Sequence, residues 1–251
     1  MAIPVSLQYG TEQCIDILTL IQPEYLVTDD EELAKRFSGN IEHSFWGLLL
    51  CVFKTGNMEQ LRNVELMMCT SGTTGIPKAS MFSGDAIIYN VSSISEYFPV
   101  TDEDTILICR PIYHCAVLVG ELLLSLSVGA NIVFYSNEYN PMTLMRIMNG
   151  INITVLCGTP TIFKGLTDCF KHKRSMGALR LIALSGEYLL PKYAKVIRES
   201  FPSAQIYNVY GLTEAGPRVS YLPYEMFDKI PQSVGKPLKG VEVKIVHEDG
   251  R

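Results

Sequence analysis

No two cysteines of this chain stand in a C-x-x-C arrangement, and its seven cysteines are scattered singly through apolar runs such as Met67-Met68-Cys69 and Val155-Leu156-Cys157. An odd, dispersed set argues against a disulfide framework and for a reducing compartment, so the cytosol is the expected location. A long hydrophobic run is missing as well. The longest, around Leu122 to Phe134, is broken by Ser, Gly and Asn, so no membrane span is expected. No signal-peptide pattern opens the sequence. Charge of one sign is nowhere concentrated. The net charge is −5, and the densest basic cluster, Lys171-His172-Lys173-Arg174, is short, which speaks against a nucleic-acid partner. Neither a Walker loop nor a kinase motif set is present. His43, His172 and His247 lack the spacing of metal ligands.

What is present is a hydrophobic content of 47% over 251 residues, enough to bury a sizeable core in one or two domains. Cys14, Ile15, Ile17, Leu18 and Ile21 predict a helix, followed by a strand at Tyr25-Leu26-Val27. Residues 63–69 predict a strand running into a glycine-rich loop, and residues 86–98 an amphipathic helix with Ser83 as its N-cap. Further strands are expected at 105–109, 131–135, 153–157, 179–184 and 205–209, with helices near Leu122, Leu144, Phe163 and Tyr193. Such alternation predicts an α/β fold whose sheets are largely parallel and layered with helices. Near the end, Val241, Val243 and Ile245 alternate with Glu242 and Lys244, and Asp249-Gly250 is a hairpin signal. The expected organisation is therefore an α/β core over residues 1–217 and the start of a small β subdomain over 218–251.

The most informative segment is Thr70-Ser71-Gly72-Thr73-Thr74-Gly75-Ile76-Pro77-Lys78. Its glycines allow close backbone approach to a polyphosphate, with N–H groups turned inward. The hydroxyls of Thr70, Ser71, Thr73 and Thr74 add donors, and Lys78 adds a mobile positive charge. A second segment, Asn208-Val209-Tyr210-Gly211-Leu212-Thr213-Glu214, falls at the end of a predicted strand, where open α/β sheets place ligands. It offers an aromatic face for a purine, a hydroxyl for a phosphate oxygen and a carboxylate for Mg²⁺.

Together these motifs resemble those of the adenylate-forming, AMP-binding superfamily, which contains acyl- and aryl-CoA synthetases, luciferases and the adenylation domains of peptide synthetases. The resemblance implies that Thr70, Ser71, Gly72, Thr73, Thr74, Gly75 and Lys78 grip the β- and γ-phosphates of ATP. It likewise implies Tyr210 against adenine, Asn208 and Gly211 in the same nucleotide-binding turn, Thr213 on the α-phosphate and Glu214 toward Mg²⁺. Ser185-Gly186-Glu187 is similar to the family's segment beside the adenine, and Gly235-Lys236-Pro237 to a structural landmark. Pro111-Ile112-Tyr113-His114 resembles a segment whose histidine lies beside the acyl pocket. Gly158-Thr159-Pro160-Thr161 resembles part of the pocket wall, whereas Ile112, Val117 and Leu118 are expected in the core.

The implied reaction is attack of a carboxylate on the α-phosphorus of ATP, giving an acyl-adenylate, with Lys78, His114, Thr213 and Glu214 as the catalytic set. Transfer to CoA or to a phosphopantetheine thiol follows in the family, which makes an acyl carrier protein one implied partner. Amino-acid-activating relatives neutralise the substrate ammonium with an aspartate near the histidine segment. No Asp stands between Asp104 and Asp168, and Glu121 is the nearest following acid. A fatty, aryl or related acid is thus expected, with an amino-acid adenylation domain or a non-catalytic fragment as the alternatives. The family's ribose-binding aspartate and its C-terminal lid with the adenylation lysine have no counterpart in the sequence. A truncated N-terminal domain, weak or inactive alone, is expected.

Overall fold

Every residue of Val155–Gly158 and of Leu181–Leu184 is buried, the mark of strands covered on both faces. They belong to the second of two compact units, Met1–Phe82 and Ser83–Arg251. The computed structural model describes residues 1–6, 8–37, 41–53, 63–70, 78–135, 138–169 and 178–247.

In the first unit the chain runs through α1 (Thr11–Ile21), β1 (Tyr25–Thr28), α2 (Glu31–Phe37), β2 (Ile41–Phe45), β3 (Leu48–Val52), β4 (Leu66–Thr70) and β5 (Lys78–Phe82). Cys14 and Leu18 of α1 meet Leu33 of α2 in a small core backed by Leu26, which explains the 3.6-residue apolar period. The strands β1-β3-β2 form an antiparallel sheet. β4 and β5 pair antiparallel from Leu66↔Phe82 to Thr70↔Lys78. The ladder therefore holds Thr70 and Lys78 opposite each other at the two ends of the segment 71–77, which lies outside the described residues.

The second unit contains α3 (Gly84–Tyr97), β6 (Thr105–Ile108), the short α4 (Cys115–Val117), a π-helical stretch over Leu118–Leu123, α5 (Leu124–Val128), β7 (Asn131–Phe134), α6 (Pro141–Gly150), β8 (Val155–Gly158), α7 (Pro160–Cys169), β9 (Leu181–Leu184), α8 (Pro191–Ser200), β10 (Gln205–Leu212), β11 (Gly216–Leu222), α9 (Tyr224–Phe227) and β12 (Lys236–Pro237). Its sheet has the order β12-β11-β10-β9-β8-β6-β7. β7, β6, β8, β9 and β10 are mutually parallel, and β11 and β12 are antiparallel additions. One face carries Leu107, Leu156, Ile182 and Ile206 into a core with Phe163 and Leu166 of α7, Ile197 of α8 and Phe201 just after it. The alternate residues Ile106, Val155, Leu181 and Ala183 are equally buried, so the opposite face is covered too. The helix starts follow local chemistry. Ser83 accepts from the Ala86 N–H at 3.2 Å, and Asn140 accepts from the Thr143 N–H at 3.1 Å with Pro141 at the first helical position.

The fold is the α/β class expected, but three expectations change in detail. The helix near Leu122 is π-helical over 118–123, which widens the backbone turn around Gly120 and Glu121. Ile112, expected in the core, is 45% exposed. The alternation at 241–245 forms no strand: residues 241–247 carry no ladder, and Ile245 is fully exposed. Period-2 alternation marks a strand only where another strand supplies the hydrogen bonds, and none among the described residues does so.

Candidate functional site

Three loops leave the C-terminal ends of parallel strands of one sheet, the edge where α/β sheets place ligands. Residues Arg110 to His114 follow β6, Ser185 to Glu187 follow β9, and Tyr210 to Glu214 finish β10 and the 3₁₀ turn after it. The parallel pairing of Asn208 with Leu184 puts the last two side by side.

The turn after β10 is shaped by close backbone approach. A Cβ on Gly211 would meet the Pro217 carbonyl oxygen at 2.1 Å, so only glycine fits where the β10–β11 register shifts between Tyr210 and Leu212. This bulge leaves Tyr210 46% exposed, with Thr213 half-buried and Glu214 open to solvent. Asn208 is turned the other way. Its amide is buried and donates to the carbonyls of Pro231 at 3.0 Å and Ser233 at 2.9 Å. It thereby fastens the following segment, in which Ser233 caps the Gly235 N–H at 3.0 Å. Gly235 has φ +72, and a Cβ there would collide with the Tyr221 carbonyl at 2.0 Å.

Beside this turn, Gly186 adopts φ +87, the left-handed conformation glycine takes at little cost. Glu187 accepts from the Thr161 hydroxyl at 2.6 Å and from its N–H at 3.2 Å. The segment after β8 is thus tied to the segment after β9. Ser185 is buried, and its Oγ accepts from Arg110 Nη1 at 3.3 Å.

Arg110 is the hub that the sequence reading missed. Its Nη2 donates to Glu121 Oε1, and the Glu121 side chain is fully buried in the π-helical stretch. Complete burial pushes the Glu121 carboxyl upward, against the pull of Arg110 and then Arg218. A lone acid within the apolar run Val117–Leu124 was the available signal, because such a residue has to find a cation once folded. Partial burial, reinforced by the nearby Arg110, lowers the His114 pKa from its ordinary value. The residue's surface remains open, while its ring lies 4.6 Å from that of Tyr113, centroid to centroid. The imidazole is accordingly neutral at pH 7. Burial pushes the Cys109 thiol up to about 12 and the Cys115 thiol up to about 11, so neither is a ready nucleophile.

Thr70 and Lys78 end and begin their strands in the first unit, with the Lys78 side chain exposed. Ser71, Gly72, Thr73, Thr74 and Gly75 lie outside the described residues. Among the described residues no trio of His, Cys, Asp or Glu forms a metal cluster. A single carboxylate such as Glu214 still suits Mg²⁺, which commonly combines one or two carboxylates with waters and substrate phosphates. No helix among the described residues is long and apolar enough to cross a membrane.

A largely parallel α/β sheet with glycine-shaped loops gathered at its C-terminal edge defines the class of α/β fold that places its ligands at that edge. The sequence model of the AMP-binding enzyme family matches residues 1–251, and the chain belongs to that family. YngI of Bacillus subtilis (strain 168), an acyl-CoA synthetase by name, is 32% identical over 186 residues, covering 73% of this chain and 34% of that protein. The crystal structure of VinN superposes with a TM-score of 0.80 at 23% identity, over 99% of this chain and 64% of the other. The o-succinylbenzoate CoA synthetase MenE from Bacillus subtilis, solved with its acyl-adenylate intermediate, gives a TM-score of 0.65 at 25% identity over 74% and 37%. The chain spans about a third of the length of the first relatives it matches.

Proposed function

We propose that this chain carries the nucleotide- and acid-binding part of a cytosolic enzyme that converts a carboxylic acid to its acyl-adenylate, releases pyrophosphate and passes the acyl group to a thiol of CoA or phosphopantetheine. The observation that carries the reading is the convergence of Arg110–His114, Ser185–Glu187 and Tyr210–Glu214 at one edge of the sheet, in a chain of the AMP-binding family.

In this reading the exposed Tyr210 ring stacks on adenine, bordered by Ser185, Gly186 and Glu187, while Asn208 and Gly211 set the turn that presents it. Thr213 meets the α-phosphate, Glu214 holds Mg²⁺, and Thr70 to Gly75 with Lys78 take the β- and γ-phosphates. His114, neutral at pH 7, flanks the acid and can donate or accept a hydrogen bond without adding charge. Bound Mg²⁺ would offset charge on the phosphates. The chain's own share of the chemistry is positioning: the carboxylate must be held in line with the leaving pyrophosphate. The division into a core over 1–217 and the start of a β-rich part over 218–251 belongs to the same proposal, and limited proteolysis that cuts first beyond residue 217 is its expected outcome.

Acid-dependent ATP–pyrophosphate exchange tests the function. A longer polypeptide containing this chain should exchange with fatty or aryl acids, and Lys78→Ala or Thr213→Ala should slow it by roughly a hundredfold. The 251-residue chain alone is expected to bind nucleotide weakly and adenylate poorly. Exchange driven by amino acids would mark an amino-acid-activating domain. Absence of both exchange and nucleotide binding would leave a non-catalytic role.

A further inference from the structure

Arg218 is the largest fully buried side chain among the described residues, at 2% exposure. It lies on β11 at the bulge, with its backbone against Gly211: a Cβ on Gly211 would come within 2.9 Å of the Arg218 nitrogen. The guanidinium reaches to the π-helical stretch that follows His114. There a Cβ on Gly120 would meet its Nη2 at 3.0 Å and its Cζ at 3.1 Å. Arg218 therefore stands between the Tyr210–Glu214 turn and the π-helical stretch that follows His114, the segment beside which the adenylation reading places the acid.

Its bonding is incomplete. Nη1 donates to the Pro217 carbonyl at 2.9 Å, and the Tyr97 phenol lies within hydrogen-bonding influence of the group. Nε is buried with no partner among the described residues, and no carboxylate there forms an ion pair with Arg218. The one buried acid nearby, Glu121, is engaged by Arg110 through Oε1 and leaves Oε2 unpartnered. Two guanidiniums, Arg218 buried and Arg110 mostly so, thus share a single buried carboxylate, an excess of one positive charge. A substrate ammonium would add to that excess, whereas an anion would cancel it. A guanidinium presents a planar fork of donors matched to a carboxylate.

Resting on the adenylation reading above, we infer that the acid activated here carries a second carboxylate, remote from the one that joins AMP, and that Arg218 is the residue that selects for it. Glu121 and Arg110 are positioning residues in this scheme, holding the π-helical stretch and Gly120 against the guanidinium. The reacting carboxylate remains at the phosphate end and the second carboxylate takes no covalent part.

The test compares two non-hydrolysable acyl-sulfamoyl adenosines, one made from succinic acid and one from its methyl half-ester, by calorimetric binding to the longer polypeptide containing this chain, with ATP titrated separately. The succinyl analogue should bind the wild type more tightly by on the order of tenfold to a hundredfold. Arg218→Met should abolish or reverse that preference, and Arg218→Lys should restore part of it. Equal or reversed affinity in the wild type overturns the inference, whatever the variants do. A parallel loss of both analogues in a folded Arg218→Met would reduce Arg218 to a structural role and overturn it as well. If ATP and both analogues fail to bind, it is the adenylation reading that falls.

Discussion

Arg180 closes a fork on Asp104, with Nε donating to Oδ1 at 2.7 Å and Nη2 to Oδ2. The pair joins the residue before β6 to the residue before β9, across the intervening β8. Thr154 adds its hydroxyl to Oδ1 at 2.7 Å and the Thr101 N–H adds a bond to Oδ2 at 2.8 Å.

Burial by itself would raise the Asp104 carboxyl, but the bonds from Arg180, Thr154 and Thr101 hold it down at about 2, from an ordinary 3.8. A carboxyl depressed on folding stabilises the protein fully above its ordinary value, and that stability is lost as pH falls through the folded one. At about 1.4 kcal/mol per unit the contribution is on the order of 2 kcal/mol. Urea denaturation should show Asp104→Asn destabilised at pH 7, with its gap from the wild type closing as the pH is lowered from 4 toward 2. A gap independent of pH would contradict this account.

Glu121 balances Arg110 directly and Arg218 at longer range. Glu121→Leu leaves two buried cations and should cost about 3–5 kcal/mol. Adding Arg110→Met leaves one cation and should recover part of the loss. Additive losses in the double-mutant cycle would show that the two side chains do not share charge balance.

Gly211 and Gly235 are demanded by backbone neighbours, not by side chains that could move aside. Gly211→Ala and Gly235→Ala should each destabilise by about 1–3 kcal/mol, lowering the melting temperature by several degrees. A melt unchanged within a degree would mean that the β10–β11 and β11–β12 pairings relax more easily than this geometry allows.

The His114 imidazole is pulled below 6.5 by partial burial and by Arg110. Titration followed by NMR should place its midpoint below that value, and Cβ-preserving replacement of the cation by Arg110→Gln should move it upward. A midpoint above 6.5 in the wild type would mean that an unrecognised anion faces the ring.

Much of the architecture was legible because it rests on local rules. The apolar run Val155-Leu156-Cys157 reads as a buried strand, Ser83 announces a helix start, and the Tyr210-Gly211-Leu212-Thr213-Glu214 string carries the family resemblance without reference to its surroundings. The β-strand at Lys78–Phe82 was not legible, since Lys78-Ala79-Ser80-Met81-Phe82 has no clean alternation and becomes a strand by pairing with Leu66–Thr70. The terminal alternation differed in the opposite direction, having the pattern but no partner strand among the described residues.

By itself, then, the order of residues determined the α/β class and the family, because helix caps, strand periods and glycine-rich turns act within a few residues of one another. Only the tertiary structure decided that Arg110 meets Glu121 and Ser185, that Asn208 faces away from solvent, and that Arg218 is buried without a full counter-charge. Burial and pairing are relations between segments 11 to 75 residues apart in these contacts, and no local pattern records them.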